Sequence, residues 1–119
     1  MSATNMTCFS KLESVFHRVY PSIPNFPKHA QRTIGEDLTK SFLECLSYMS
    51  VANSLNSSNK KKRGELLEYS QGKLHHIIFN WRFCRNNKFI GKGFFEEVDE
   101  LLTEVDKMLR GWIKSLFSK

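Results

Sequence analysis

Two arginines and a lysine in the second half of the chain have the residue types and the spacing of a binding surface. Arg82 and Arg85 lie three residues apart, about one turn of a helix, and Lys88 follows at the same spacing. Phe79 and Phe83 lie in the same stretch. Arginine beside an aromatic ring suits phosphate contact, base stacking and a protein-binding hot spot equally well. The pattern therefore indicates binding and leaves the class of partner open.

A second group of bases follows a polar stretch near the middle of the chain. It consists of Lys60, Lys61, Lys62 and Arg63. The surrounding segment 56–64 is rich in Asn, Ser and Gly, which predicts a flexible loop. Such a run also resembles a nuclear localisation signal, but a mobile loop that binds phosphates is the better interpretation. We predict that these four residues and Lys73 contact nucleic acid.

Catalysis and metal binding have little support. The chain lacks a glycine-rich phosphate loop, a nucleophile elbow and a metalloprotease signature. His75 and His76 would point about 100° apart on a helix, and no Cys-x-x-Cys pair accompanies them. The acids near residue 96 lack the Glu-x-x-His pattern of di-iron bundles. We expect no enzyme activity, no metal site and no cofactor.

The charge balance points to an acidic partner. The 119 residues carry 18 Lys and Arg against 12 Asp and Glu, a formal charge of +6. Residues 60–92 hold nine bases and two acids, whereas residues 96–106 hold six acids and no base. This asymmetry favours a polyanion or an acidic protein surface as partner. The alternative is a solvated basic surface that only keeps the protein in solution.

The three cysteines and the amino-terminal residues bear on the compartment. Cys8, Cys45 and Cys84 are odd in number, widely spaced and set in apolar patterns, which favours reduced thiols in the core of a cytoplasmic protein. The first residues lack the charged and apolar regions of a secretion signal. No run of about eighteen apolar residues predicts a membrane span.

Four stretches must form the elements that carry these residues. Apolar residues recur at helical spacing over about residues 8–20, 28–55, 65–85 and 94–117. Short connections between the last three make neighbours antiparallel, so we predict an all-α, antiparallel four-helix bundle in a single domain, residues 1–119. In the third helix Ser70 and Gly72 are expected to allow close approach, and glycines after residue 90 to serve at helix ends.

The third helix has an unusual outward side. It carries His75, His76, Phe79, Asn80, Arg82 and Phe83. Large aromatic groups on the exposed side of a helix would form an aggregation patch in a monomer. We therefore predict that Phe79 and Phe83 are buried between subunits of an oligomer.

The antiparallel arrangement predicts two separate basic regions. The end of the third helix, near Arg85, should lie beside the start of the second, which brings Lys28 and Arg32 close. The run at residues 60–63 should then lie at the opposite end of the bundle. Phe83 and Phe89 add apolar groups to the Arg85 end, which therefore suits a shaped protein partner better than a nucleic acid.

Two short stretches carry a resemblance to a known family. Pro27-Lys28-His29-Ala30 leads into Arg32-Thr33-Ile34-Gly35, and Leu101-Leu102 is followed by Leu109-Arg110-Gly111-Trp112-Ile113-Lys114. In order and spacing they resemble the accessory variability determinant, Avd, of diversity-generating retroelements. The resemblance extends from Tyr20 to Ser115.

The resemblance implies a function. Members of the family are four-helix bundles that assemble as barrel-like homopentamers and bind both the reverse transcriptase of the retroelement and nucleic acid, in support of mutagenic copying. It implies a cytoplasmic protein, bacterial or phage-encoded. We expect Arg82, Arg85, Lys88, Lys28 and Arg32 to meet the transcriptase, and the bases of residues 60–63 with Lys73 to meet RNA or DNA.

Two alternatives stay open at this point. One is a general RNA-binding bundle of the kind encoded in ribosomal RNA intervening sequences, without a transcriptase partner. That group's usual Ile-Pro-Ser-Asn-Ile-Ala-Glu-Gly run is missing here. The other is a bundle enzyme that binds a small molecule or a metal. A neighbouring reverse transcriptase gene would separate the first from the Avd function, and a metal assay would test the second.

Overall fold

The computed structural model describes residues 3–55 and 58–117 of the chain. Over these residues the structure is helical, without strands. The elements are α1 (Ala3–Val19), a 3-10 segment (Tyr20–Asn25), α2 (Lys28–Ala30), a π-helical segment (Gln31–Gly35), α3 (Glu36–Ser54), α4 (Lys60–Asn86) and α5 (Lys92–Phe117). Because α2, the π-helical segment and α3 follow one another directly, the described chain has four long helical segments.

Contacts between side chains define an antiparallel bundle. Cys45 of α3 lies 3.2 Å from Ser70 of α4, and Asp37, earlier in α3, contacts Asn80, later in α4. Successive contacts between α4 and α5, and between α5 and α1, also run in opposite directions; they are His75–Asp106, Arg82–Asp99, Lys11–Glu104 and Arg18–Glu97. The four-helix, all-α prediction is confirmed for the described residues.

The core is continuous along the bundle and aromatic near one end. Trp81 and Phe42 are its largest fully buried side chains. The indole nitrogen of Trp81 donates a hydrogen bond to the Phe95 carbonyl oxygen at 3.2 Å, so the polar atom of this side chain is satisfied. Phe42 stacks on Phe16 of α1 with ring centroids 4.9 Å apart. Burial of such large apolar groups joins all four helical segments.

The entry to α3 depends on a close approach at Gly35. Ile23 of the 3-10 segment packs against this glycine, and a Cβ atom at Gly35 would lie 2.7 Å from Ile23 Cγ2. The glycine lies at the end of the π-helical turn and is buried. The absence of a side chain at this position therefore allows the 3-10 segment to pack against the start of the second helical segment.

The start of α4 corrects one prediction. Lys60 to Gly64 were predicted to form part of a flexible loop, but α4 begins at Lys60. Lysine and arginine are good helix formers, and Arg63 Nε donates to the Ala52 carbonyl oxygen of α3 at 3.1 Å, which ties this turn to the bundle. Gly64, buried inside the helix, leaves the space that the Phe117 ring occupies.

The end of α4 corrects the prediction that glycine ends these helices. Lys88, with φ of 61°, is the residue in the left-handed conformation, and no glycine of the described chain adopts a positive φ. The Phe89 N–H donates to the Cys84 carbonyl oxygen and the Lys88 N–H to that of Arg85. This is the Schellman arrangement, with lysine at the position that glycine usually occupies.

Two further positions of α4 differ from the sequence-based expectation. Asn80 was placed on the outward side but is buried, because its amide group reaches Asp37 of α3. Gly72 was expected at a close approach, but nothing lies within 4 Å of a Cβ atom built there. Ser70, in contrast, is buried and donates to the Cys45 carbonyl oxygen.

Candidate partner-binding surfaces

The outer side of α4 carries two aromatic rings that the fold leaves in solvent. Phe79 is 65% exposed and Phe83 is 39% exposed. Both line an open groove between α4 and α5, whose other walls include Ile78, Arg82 and Thr103. Because the core is complete without them, these rings are available to a partner, as a subunit contact would require.

The two arginines of this region are engaged within the chain. Arg82 Nε lies 3.0 Å from Asp99 Oδ1 of α5, and Arg85 Nη1 donates to the Ile90 carbonyl oxygen at 3.1 Å. The second contact holds the connection between α4 and α5. Both side chains therefore have structural tasks, and sequence reasoning could not find these because the partners come from other parts of the chain.

The remaining bases of this group are differently placed. Lys28, Arg32 and Lys88 are exposed. Within the described part of the chain, no acid lies at ion-pair distance from any of the three. The side chains of these three residues are therefore more available to a partner than those of Arg82 and Arg85.

Aromatic contacts bring the two halves of this end together. Phe89, after α4, lies 5.8 Å from Phe26 and 6.3 Å from His29, measured between ring centroids. Phe83 and Phe89 line a shallow cleft with Ile34 of the π-helical segment. The start of the second helical segment thus lies beside the end of α4, which is the geometry expected from the antiparallel arrangement. We call this region, defined by Lys28, Arg32, Phe83, Lys88 and Phe89, the α4-end surface.

The second basic region lies at the opposite end of the bundle. Lys60, Lys61 and Lys62 are exposed in the first turn of α4, where the helix dipole adds to their positive charge. Arg63 is half-buried because of its bond to Ala52. This turn presents anion-binding charge on a helix rather than on a loop.

Lys73 does not belong to that cluster. It lies thirteen residues beyond Lys60 on the same helix, about 20 Å along the axis. Its ammonium nitrogen is 3.1 Å from Glu44 Oε2, and the hydrogen bond and charge of Glu44 raise the pKa of Lys73. The five predicted nucleic-acid residues are therefore split into a terminal cluster and one residue on the side of the bundle.

The structure contains polar clusters on α4 that were not predicted from the sequence. His76 Nε2 and Asn80 Nδ2 contact the same oxygen of Asp37 at 2.5 and 2.6 Å. Partial burial raises the pKa of Asp37, but these hydrogen bonds and the charges of His76 and Lys73 outweigh it, so the net shift is downward. The i,i+4 spacing of residues 76 and 80 was the available signal.

His75 belongs to a second such cluster. Its Nε2 lies 3.0 Å from Oδ1 of Asp106, which is almost fully buried between α4 and α5. Arg110, one turn further along α5, contacts the other carboxylate oxygen. Arg110 thus compensates the buried charge of Asp106, and His75 contacts its other oxygen, so both carboxylate oxygens have partners, as a buried carboxylate requires.

The cysteines are buried and form no disulfide. Burial raises the pKa of Cys8 to about 11 and the pKa values of Cys45 and Cys84 to about 12. Because the thiolate is the nucleophile and the metal ligand, these groups are unreactive in the folded protein.

Among the described residues no group of three or more His, Cys, Asp or Glu is arranged to hold a metal ion. No helix of the described chain is long and apolar enough to cross a membrane.

The antiparallel helices form an all-α four-helix bundle whose surface carries exposed basic and aromatic side chains. Residues 6–116 match the model of the bAvd-like family. The chain therefore belongs to that family, as the resemblance to the accessory variability determinant predicted. Searches of curated proteins and of solved structures found no match.

Proposed function

We propose that the protein is the accessory factor of a diversity-generating retroelement, and that it binds the element's reverse transcriptase and nucleic acid to support mutagenic reverse transcription and retrohoming. The observation that carries this proposal is the match to the bAvd-like family over residues 6–116. The protein acts through binding, without catalysis. It works as a cyclic homo-oligomer, a pentamer by the family resemblance, in the cytoplasm.

The α4-end surface is the proposed contact with the transcriptase. Lys28, Arg32 and Lys88 present charge that is not compensated by the described acids of the chain, and Phe83 and Phe89 supply apolar area beside it. A cationic rim around aromatic groups is typical of a protein-binding hot spot. Arg82 and Arg85 contribute mainly by fixing the shape of this surface, through Asp99 and the Ile90 carbonyl.

A charge-reversal experiment tests this contact. Arg32→Glu combined with Lys88→Glu is expected to reduce capture of the co-expressed, tagged reverse transcriptase by at least about tenfold, since hot-spot residues contribute about 2 kcal/mol each. The matched control reverses Lys107 and Lys114, two exposed lysines of α5, and should leave capture unchanged. These substitutions avoid Arg82 and Arg85, whose side chains also contact Asp99 and the Ile90 carbonyl oxygen within the chain.

The outcomes separate the candidate functions. Equal loss of capture in both double variants would mean that net charge, and not the α4-end surface, governs binding. Failure of the unmodified protein to capture the transcriptase, with RNA binding retained, would favour the general RNA-binding function. Circular dichroism of each variant verifies that helical content is unchanged.

A further inference from the structure

The outward face formed by α3 and α4 carries an aromatic pair that the surfaces described above do not use. Tyr69 of α4 is 61% exposed and lies next to Tyr48 of α3, with ring centroids 5.7 Å apart and planes inclined by 33°. Val51, one turn of α3 away, is also exposed. Tyr69 leaves most of its ring surface in water, so the pair is a candidate for contact with a flat ligand.

Lysines lie on both sides of this pair along α4. Lys62, Tyr69 and Lys73 are spaced by seven and four residues, which places them on one stripe of the helix over about 16 Å. Lys62 is exposed in the basic first turn, and Lys73 lies one turn beyond Tyr69. Positive charge therefore flanks the aromatic surface at each end.

The acids of this face do not cancel that charge. Glu44 lies between Lys73, at 3.1 Å, and Lys40, at 4.0 Å, so this group of three keeps a net positive charge. Asp37 of α3 also acts on Lys73, but His76 and Asn80 hold its carboxylate. On the stripe itself, Glu65 is outnumbered by the lysines of the adjoining turn, residues 60–62. An anionic ligand with flat, apolar groups has the complementary chemistry.

We propose that Tyr69 and Tyr48 form a base-stacking platform for single-stranded nucleic acid, with Lys62 and Lys73 contacting phosphates on either side. The inference rests on the nucleic-acid binding proposed above and specifies its substrate class. Exposed aromatic rings within a basic track bind unpaired bases because every base has a flat face to stack. A duplex hides those faces between neighbouring base pairs, so the platform selects single strands.

Fluorescence anisotropy with a labelled RNA of mixed sequence, single-stranded or annealed to its complement, tests the platform. Tyr69→Ala is expected to weaken single-strand binding about tenfold and duplex binding much less. Tyr69→Phe, which keeps the ring, should restore single-strand affinity. The matched control is Tyr20→Ala, since Tyr20 is similarly exposed, at 57%, but lies on the 3-10 segment and outside the stripe of α4.

Salt dependence separates stacking from charge. The slope of log affinity against log salt should stay unchanged in Tyr69→Ala and should fall in Lys62→Ala, because only the lysine releases a counterion from the RNA. Equal losses in Tyr69→Ala and Tyr20→Ala, or equal losses for single strands and duplex, would overturn the platform.

Two further outcomes bear on the proposal. If light scattering shows that Tyr69→Ala alters the oligomeric state, the pair belongs to a subunit or protein contact and the platform is wrong. If the unmodified protein binds neither form of RNA, the nucleic-acid part of the proposed function fails as well. Normal RNA binding by all tyrosine variants would overturn only the platform.

Discussion

At the scale of single residues, two glycines of the bundle differ in the space available for a side chain. Gly35 is buried against Ile23, whereas Gly72 lies in the middle of α4 with open space beside it. Both positions are helical, so the helix propensities of glycine and alanine favour alanine at each by about 1 kcal/mol. Only the surroundings of the two positions differ.

Substitutions at these glycines should therefore have effects of opposite sign. Gly35→Ala is expected to lower the free energy of unfolding by about 1–3 kcal/mol, because a Cβ atom 2.7 Å from Ile23 Cγ2 forces the 3-10 segment away. Gly72→Ala, the matched control, should raise it by about 0.5–1 kcal/mol. Urea denaturation followed by circular dichroism measures both, and a stabilising Gly35→Ala would contradict the close packing.

Residue roles were the least predictable part of the candidate site. Charge, aromatic content and helical spacing were enough to select Arg82, Arg85 and Lys88 as one group. These patterns could not show that Arg82 and Arg85 make contacts within the chain whereas Lys88 is exposed. Asp99 and the Ile90 carbonyl oxygen come close to the two arginines only in the folded protein. Asn80 was misplaced for the same reason, since its partner Asp37 lies on another helix.

At the scale of elements, the end of α4 has an exposed lysine in an unfavourable backbone conformation. Lys88 adopts a left-handed conformation, which costs a residue with a Cβ atom roughly 1–2 kcal/mol relative to the right-handed one. Glycine avoids that cost but has no charge. Lysine at this position is consistent with a role for its ammonium group in partner binding.

Replacing this lysine should therefore separate stability from function. Lys88→Gly is expected to raise the free energy of unfolding by up to about 1 kcal/mol, the relief of strain less the added chain entropy, while it lowers transcriptase capture. Asn87→Gly is the control, since Asn87 has φ of −94° and donates to the Phe83 carbonyl oxygen, so glycine there should destabilise. A less stable Lys88→Gly protein, or one with undiminished capture, would contradict this account.

Helix positions followed well from hydrophobic periodicity, and helix boundaries less well. The apolar stripe of the last helix predicted a start near residue 94, and α5 begins at Lys92. The predicted start of α4, near residue 65, was wrong. The helix begins at Lys60 because Arg63 reaches the Ala52 carbonyl oxygen and the Phe117 ring covers Gly64. Both partners are distant in sequence, so local composition indicated a loop.

At the scale of the whole molecule, the exposed rings of α4 are the groups that a contact between subunits would cover. Phe79 is among the most exposed large apolar residues of the described chain. A ring of subunits in which each groove between α4 and α5 meets a neighbour would remove these side chains from water, and would repeat each basic region around the assembly. Repetition increases avidity for a long nucleic acid without any new contact.

Disrupting that groove should dissociate the assembly. Phe79→Lys is expected to convert the oligomer to monomers, because an ammonium group replaces a ring at the centre of the proposed contact. Leu43→Lys is the matched control, since Leu43 of α3 is also a large exposed apolar residue, at 54%, and lies outside the groove. Light scattering of the purified proteins measures the mass, and a monomeric unmodified protein or an unchanged Phe79→Lys oligomer would contradict the ring.

The pairing of α1 with α5 affects how the protein is made. Lys11 contacts Glu104 and Arg18 contacts Glu97, so the first helix finds its ion-pair partners 93 and 79 residues later. On the ribosome, α3 and α4 can form their hairpin as soon as both have emerged, and Phe16 of α1 can meet Phe42 of α3, but the pairing of α1 with α5 must wait until α5 has been translated. The closing of the bundle between its first and last helices is thus a late step in the synthesis of the chain.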